Sequence, residues 1–372
     1  MRFAGRAQEA AGVEGRVRYF GPYAEAFWSG GGGEVRTLAR FSEVSLMVRS
    51  FFRRSEVTIR PMTLGDMEGL RRVGQEAWSD LASRDMGRKV QYPVRSRQII
   101  EAYIRKEPGG CLLAEKDGVI IGAGYSHAWG SVGWIGPFEV LPEHQNVGIG
   151  GRLLARCESY LTGKGCRVIG LETMSHVAKN LHFYLSHGYS PSAITLIMDR
   201  TFKEGEAFPH SPGEGGVREV EGDEIGRVRE AMKRIGDSMF PGLDHTCELD
   251  MMVDARLGSA FVWEDGDTPR GVALLHTFQR SEDGGYSSVK LLIVDPEAEA
   301  AEMGFLSLLE SCERRSVALG KKRLYARFDV KAPTLYSLLS RRSYTIKGSN
   351  IRFVKSGRYL ENGAHILSSW AG

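Results

Sequence analysis

The residues best placed to do chemistry are Gln145-Asn146-Val147-Gly148-Ile149-Gly150-Gly151-Arg152, a glycine-rich run that leaves a β-like segment and opens a helical one. A helix N-terminus leaves its first backbone N–H groups unpaired and carries partial positive charge, so it favours phosphate. Glycine at 148 and 150 lets amides approach an anion with no Cβ in the way. The spacing is neither the dinucleotide fingerprint G-x-G-x-x-G nor a Walker loop ending in Gly-Lys-Ser/Thr. The chemistry implied is binding of another phosphate-bearing ligand; a plain strand-to-helix turn is the structural alternative. No metal site is expected: Cys111, Cys157, Cys166, Cys247 and Cys312 are scattered, odd in number and never in a CxxC pair,. His127, His144, His176, His182 and His187 show no ligand spacing and are expected to be solvated rather than catalytic.

The elements that must position this loop read as alternating strands and helices. A β-run at 57–62 leads to the turn Thr63-Leu64-Gly65-Asp66, a helix cap,. Met67, Leu70, Val73, Ala77 and Trp78 follow at helical spacing. Runs at 111–115 and 119–125 flank Lys116-Asp117-Gly118 and predict a hairpin. The strand 134–140 contains Pro137, which removes a ladder donor, so a bulge is expected there. Ile149, Leu153, Cys157, Tyr160 and Leu161 mark the inner face of a helix ending near Gly163 and Gly165. A strand at 168–173, a helix at 178–187 and a strand at 194–199 that closes the domain complete the order.

With these residues in place, 140–150 (Val-Leu-Pro-Glu-His-Gln-Asn-Val-Gly-Ile-Gly) resembles motif A of the GCN5-related N-acetyltransferase (GNAT) superfamily, (Gln/Arg)-x-x-Gly-x-(Gly/Ala) after a strand ending Val-x-Pro. The resemblance implies that Gln145, Val147, Gly148, Gly150 and Gly151, with the amides of Asn146 and Ile149 between them, cradle the pyrophosphate of acetyl-CoA. Val140 and Leu141 would hydrogen-bond the pantetheine arm like an added strand. The family often has basic residues inside the loop; here those positions are Asn146 and Val147, and Arg152 is expected to supply the charge. It also implies two central strands that splay apart to admit the acyl arm, where a bulge at Pro137 would free an amide for the thioester carbonyl. The segment Asn180-Leu181-His182-Phe183-Tyr184 with Gly188-Tyr189 resembles motif B, which implies Tyr184 as the acid for the leaving thiolate and Asn180 as a cofactor contact. Glu139, on the bulged strand, is the candidate general base, directly or through water; a strand-end glutamate without a role is the alternative.

Residues 217–372 repeat the same order at an offset near 150 to 158 residues. Val217-Arg218 with Asp223 echoes Ile59-Arg60 with Asp66, and Val294-Asp295-Pro296 echoes Val140-Leu141-Pro142. Glu302 stands where Gly148 stands and Leu339 where Tyr184 stands, so this copy is expected to be degenerate. The fold class expected is mixed α+β (α/β three-layer): two tandem GNAT-like domains, each a mostly antiparallel twisted sheet with splayed central strands flanked by helices. The expected boundaries are 55–200 and 217–372, with a Pro/Gly-rich linker at 201–216. Residues 1–54 hold nine arginines and no lysine and lack a sustained period, so they read as a poorly ordered leader,.

Net charge of +3 is too small to argue for nucleic acid,. No apolar run approaches the roughly 20 residues that span a bilayer. A cytoplasmic monomer or homodimer is expected, acting on an amine-bearing small molecule or peptide with acetyl-CoA as cosubstrate. A non-catalytic acyl-CoA-binding sensor is the alternative.

Overall fold

The computed structural model describes residues 56–206, 208, 216–278 and 285–370 in full, and the backbone of 4–7, 14–20, 23–29 and 34–40. Two compact units result, Met1–Glu56 and Val57–Gly372. The first contains β1 (Ala4–Ala7), β2 (Glu14–Phe20), β3 (Tyr23–Ser29) and β4 (Glu34–Arg40), an antiparallel meander in that order. Backbone strands thus occur within the segment expected to be a poorly ordered leader. Each seven-residue strand is rich in Val, Tyr, Phe, Trp or Thr, types that suit a pleated surface, and Gly21-Pro22 and 30–33 punctuate them in the sequence,.

The second unit runs β5 (Thr58–Pro61), α1 (Met67–Met86), α2 (Arg97–Lys106), β6 (Cys111–Lys116), β7 (Val119–Trp129), β8 (Val132–Val140), α3 (Ile149–Gly163), β9 (Val168–Met174), α4 (Ala178–Ser186) and β10 (Ser190–Thr201). It then repeats: β11 (Val217–Glu219), α5 (Ile225–Met239), α6 (Thr246–Asp254), β12 (Gly258–Asp265), β13 (Thr268–His276), β14 (Tyr286–Val294), α7 (Ala301–Ala318), β15 (Arg323–Asp329), α8 (Pro333–Arg341) and β16 (Thr345–Ser356). A last strand, β17 (Ile366–Ser368), has no counterpart among the described residues of the first copy. The duplication extends to side chains. Arg60 pairs with Asp66 and Glu115, each at 2.7 Å, and Arg218 pairs with Glu224 and Glu264. The acidic echo of Asp66 is therefore Glu224, not Asp223. No helix among the described residues is long and apolar enough to cross a membrane.

The two copies share one 13-stranded sheet, because each lends its last strand to the other. β10 does not close the first copy as expected. It pairs with β15 (Leu196 opposite Phe328) and with β16, while β16 pairs with β9 (Phe353 opposite Leu171). The exchange leaves only β5 and β11 as path ends, which limits exposed edges. Leu70, Ile100 and Tyr103 of α1 and α2 and Val228, Ile235 and Leu249 of α5 and α6 form one apolar core across both copies. The opposite faces carry α3 with α4 in one copy and α7 with α8 in the other.

Candidate active site

The central feature is a gap in the sheet. β8 and β9 run parallel and pair from Val132 opposite Val168 to Ile135 opposite Leu171, and then part. The parting coincides with the bulge expected from Pro137: Gly124 pairs with Phe138 and Ser126 with Ile135, so Tyr125 alone faces Gly136 and Pro137,. His127 braces the bulge, its Nε2–H donating to the Gly136 carbonyl at 2.8 Å and its ring stacked on Trp134 at 3.9 Å. Burial, with Lys290 nearby, lowers its pKa to about 3, so it is neutral. It is buried, not solvated as expected. Leu141 N–H donates to Ile121 O at 2.9 Å. In an antiparallel ladder the groups facing one neighbour alternate, so Phe138 and Val140 turn their own N–H and C=O toward the gap. Leu141, expected beside Val140 as a cofactor contact, has its N–H committed to β7 and its side chain in the core.

Beyond β8 the chain makes a short turn at Pro142–His144 and enters α3 through two left-handed residues, Asn146 (φ 63) and Gly148 (φ 85). Such a backbone needs glycine at 148 although no atom crowds it,. Gly150 and Gly151 have a different reason. A Cβ would meet the Phe183 ring at 3.2 Å and His187 Nε2 at 2.6 Å, so these glycines let α4 pack closely on α3. Ile149 is a core residue and Val147 an exposed one. Gln145 holds Val140 O through Nε2 at 2.7 Å and accepts from Lys179 of α4. Arg152, expected to supply the loop's charge, is exposed and donates from Nη2 to Val57 O at 2.9 Å. Lys179 was missed in the sequence because it lies 34 residues from Gln145 and in no motif.

Across the gap, Tyr184 is buried against Phe183, Tyr189 and Phe353. Burial raises its pKa above the usual phenol value, and its hydroxyl has no hydrogen bond to the described residues. Asn180 Nδ2 donates to Thr173 Oγ1 at 3.1 Å, on the stretch of β9 that has left β8.

Glu139, the candidate base, is engaged on both carboxylate oxygens. Its carboxylate, 2% exposed, accepts from Arg95 Nη2 at 2.5 Å and Nη1 at 3.1 Å, and from Trp78 Nε1 at 2.7 Å. Gly74 of α1 makes room for the pair, since a Cβ there would sit 3.1 Å from both partners. Tyr92 stacks on Trp78 at 5.3 Å, so the α1–α2 connection is fastened to β8. Glu139→Gln should strand the Arg95 charge and lower unfolding free energy by about 3 kcal/mol, measured by urea titration. A base role without a structural one predicts unchanged stability.

The second copy differs at each of these points. α7 starts at Ala301 with Glu302 in its first turn and no left-handed residue before it. Leu339 is fully buried, and Tyr336 is exposed. Its gap is filled by the chain itself: β14 pairs with β15 only from Tyr286 to Ser288, and β17 then pairs antiparallel along Leu291, Leu292 and Ile293.

Residues 75–189 match the acetyltransferase (GNAT) family. No curated protein matches the chain. Among solved structures, a putative acetyltransferase from Pyrococcus horikoshii is similar over 86% of this chain and 96% of its own, with 18% identity and a TM-score of 0.62. A GCN5-related N-acetyltransferase from Sphaerobacter thermophilus is similar over 85% and 98%, with 16% identity and a TM-score of 0.54. A tandem GNAT protein from the clavulanic acid biosynthesis pathway is similar over 82% and 100%, with 13% identity and a TM-score of 0.53. The gap, the loop at its open end and the duplicated order of elements agree with these likenesses: residues 75–189 match the GNAT family of acetyltransferases, within a chain whose fold is similar to that of a tandem GNAT protein.

Proposed function

We propose that the first copy, residues 57–200 completed by β16, transfers an acetyl group from acetyl-CoA to a primary amine on a small molecule or peptide. The observation that carries this reading is the gap between β8 and β9, whose unpaired backbone opens at the N-terminus of α3. An extended acyl arm would bond the N–H and C=O groups of Phe138 and the N–H of Val140, whose carbonyl Gln145 holds, as an added strand does,. The amides from 146 to 151 would hold the pyrophosphate. A backbone N–H at the bulge would bond the thioester oxygen as it gains charge during attack by the neutral amine. Tyr184 would pass its proton to the departing sulfur. With Glu139 committed to Arg95 and Trp78, the amine's proton is assigned to solvent, and Glu139 to holding the α1–α2 connection.

Thiol release from acetyl-CoA across a panel of amines tests the reading. Turnover with at least one amine, abolished by loss of the gap residues, is the expected result. Binding without turnover on any amine would favour a non-catalytic acyl-CoA sensor, the reading that the tied Glu139 carboxylate also suits. Gly148→Asp puts a side chain on a left-handed backbone and a carboxylate beside phosphate, so acetyl-CoA should bind at least about 100-fold more weakly by isothermal titration. Unchanged affinity would reduce the loop to a turn.

A further inference from the structure

β8 and β9 are parallel, so the loop after β8 and the first turn of α4 after β9 flank the same open end of the gap. One hydrogen bond spans that opening. Lys179, in the first turn of α4, donates its ammonium to Gln145 Oε1, while the other end of the same amide holds Val140 O. The loop brings backbone amides, and the nearest cation in its helix, Arg152, turns one guanidinium nitrogen to Val57 O. Lys179 itself is poorly compensated. Its hydrogen-bond partner is a neutral amide, and Asp80, the carboxylate that faces it, is already paired with Arg84 at 2.9 Å. Although the side chain as a whole is exposed, local desolvation of the ammonium, with the Arg84 charge, pushes its pKa below the usual lysine value. An ammonium in that setting gains by meeting an anion, through a charge-assisted bond roughly twice as strong as a neutral one.

We propose that Lys179 is the cation of the cofactor-phosphate site, and that its bond to Gln145 is a clasp across the mouth of the gap, released when a pyrophosphate takes over the ammonium. The proposal rests on the acyl-CoA reading and adds a residue from outside the loop. It makes one lysine both the closure of the empty gap and the counter-charge of the filled one.

The test compares the wild-type chain with Lys179→Ala and Lys179→Arg. The probes are acetyl-CoA, by isothermal titration, and S-acetylpantetheine, the acyl arm without its phosphates, by competition. Lys179 is exposed, so both variants should fold. Lys179→Ala should bind acetyl-CoA about 10–100-fold more weakly and Lys179→Arg within about fivefold of wild type, with S-acetylpantetheine binding alike to all three. Equal acetyl-CoA affinity in wild type and Lys179→Ala overturns the proposal. So does an equal loss toward both probes, which would assign the side chain to packing. A wild-type chain that binds no acetyl-CoA at all overturns the acyl-CoA reading itself, and the proposal with it.

Discussion

Replacing Tyr184 with phenylalanine should lower kcat by about 10²–10⁴ while leaving acetyl-CoA affinity within about twofold. The ring does the packing, against Phe183 at 5.2 Å, Tyr189 at 5.9 Å and Phe353 at 6.1 Å, and phenylalanine keeps all three contacts. Only the O–H is lost, and it serves no hydrogen bond among the described residues. Stability should therefore stay within about 0.5 kcal/mol of wild type. Burial raises the phenol pKa, so the group remains protonated through the neutral and mildly alkaline range, as a proton donor must. The sign follows. A folded-state pKa above the unfolded value near 10 gives a contribution to stability that is complete below pH ~10 and fades as pH rises further. The rate should not fall from Tyr184 ionisation in the assay range. Steady-state kinetics with the best amine of the panel, beside isothermal titration of acetyl-CoA, decides the matter. An unchanged kcat, or a loss of cofactor binding, would return Tyr184 to the core.

What the sequence made legible is what depends on neighbours along the chain. The Asp117-Gly118 hairpin and the bulge at Pro137 each follow from local backbone chemistry, whereas the left-handed backbone at Gly148, read in the sequence only as room for an anion, is a finding of the fold. So does the repeat, down to Arg60 and Arg218, apart from the one-residue slip between Asp223 and Glu224. Contacts between distant segments were not legible. Nothing in 190–201 says that its partner is β15 rather than β9, because β10 and β16 are both 12-residue strands and either could close either copy. The partners of Glu139 were hidden for the same reason: Arg95 and Trp78 lie 44 and 61 residues away, and only the folded chain brings them to it. The glycines at 150 and 151 read in the sequence as ligand contacts alone, and the fold adds a second reason for them, the close packing of Phe183 and His187. A sequence gives the backbone's reason for a glycine more readily than a neighbour's.

Filling of the second gap by β17 leads to the other large effect. Intact chain should bind one acetyl-CoA, and deleting residues 365–372 should unfold the chain rather than uncover a second site. Ile366, Leu367 and Trp370 are all buried. Two buried aliphatic side chains contribute about 1.5–3 kcal/mol each, and a buried tryptophan about 3–5 kcal/mol. The deletion also strips Arg352 of the Ser368 carbonyl at 2.8 Å and Lys290 of the Ser369 carbonyl at 2.9 Å, leaving two buried cations short of acceptors. The loss is on the order of the whole stability of an ordinary domain, about 5–15 kcal/mol. It would reach the first copy too, since a Cβ on Gly170 of β9 would touch the Trp370 ring at 2.6 Å, so tight is that contact. Even an emptied gap would lack its phosphate cradle, because Glu302 opposes an anion at the start of α7 and no left-handed glycine precedes it. Equilibrium dialysis on the intact chain gives the stoichiometry, and thermal unfolding of the truncated chain gives the stability. Two molecules bound per chain would overturn the assignment of a single site, and a truncated chain that melts like the full one would mean that β17 fills the gap without holding it.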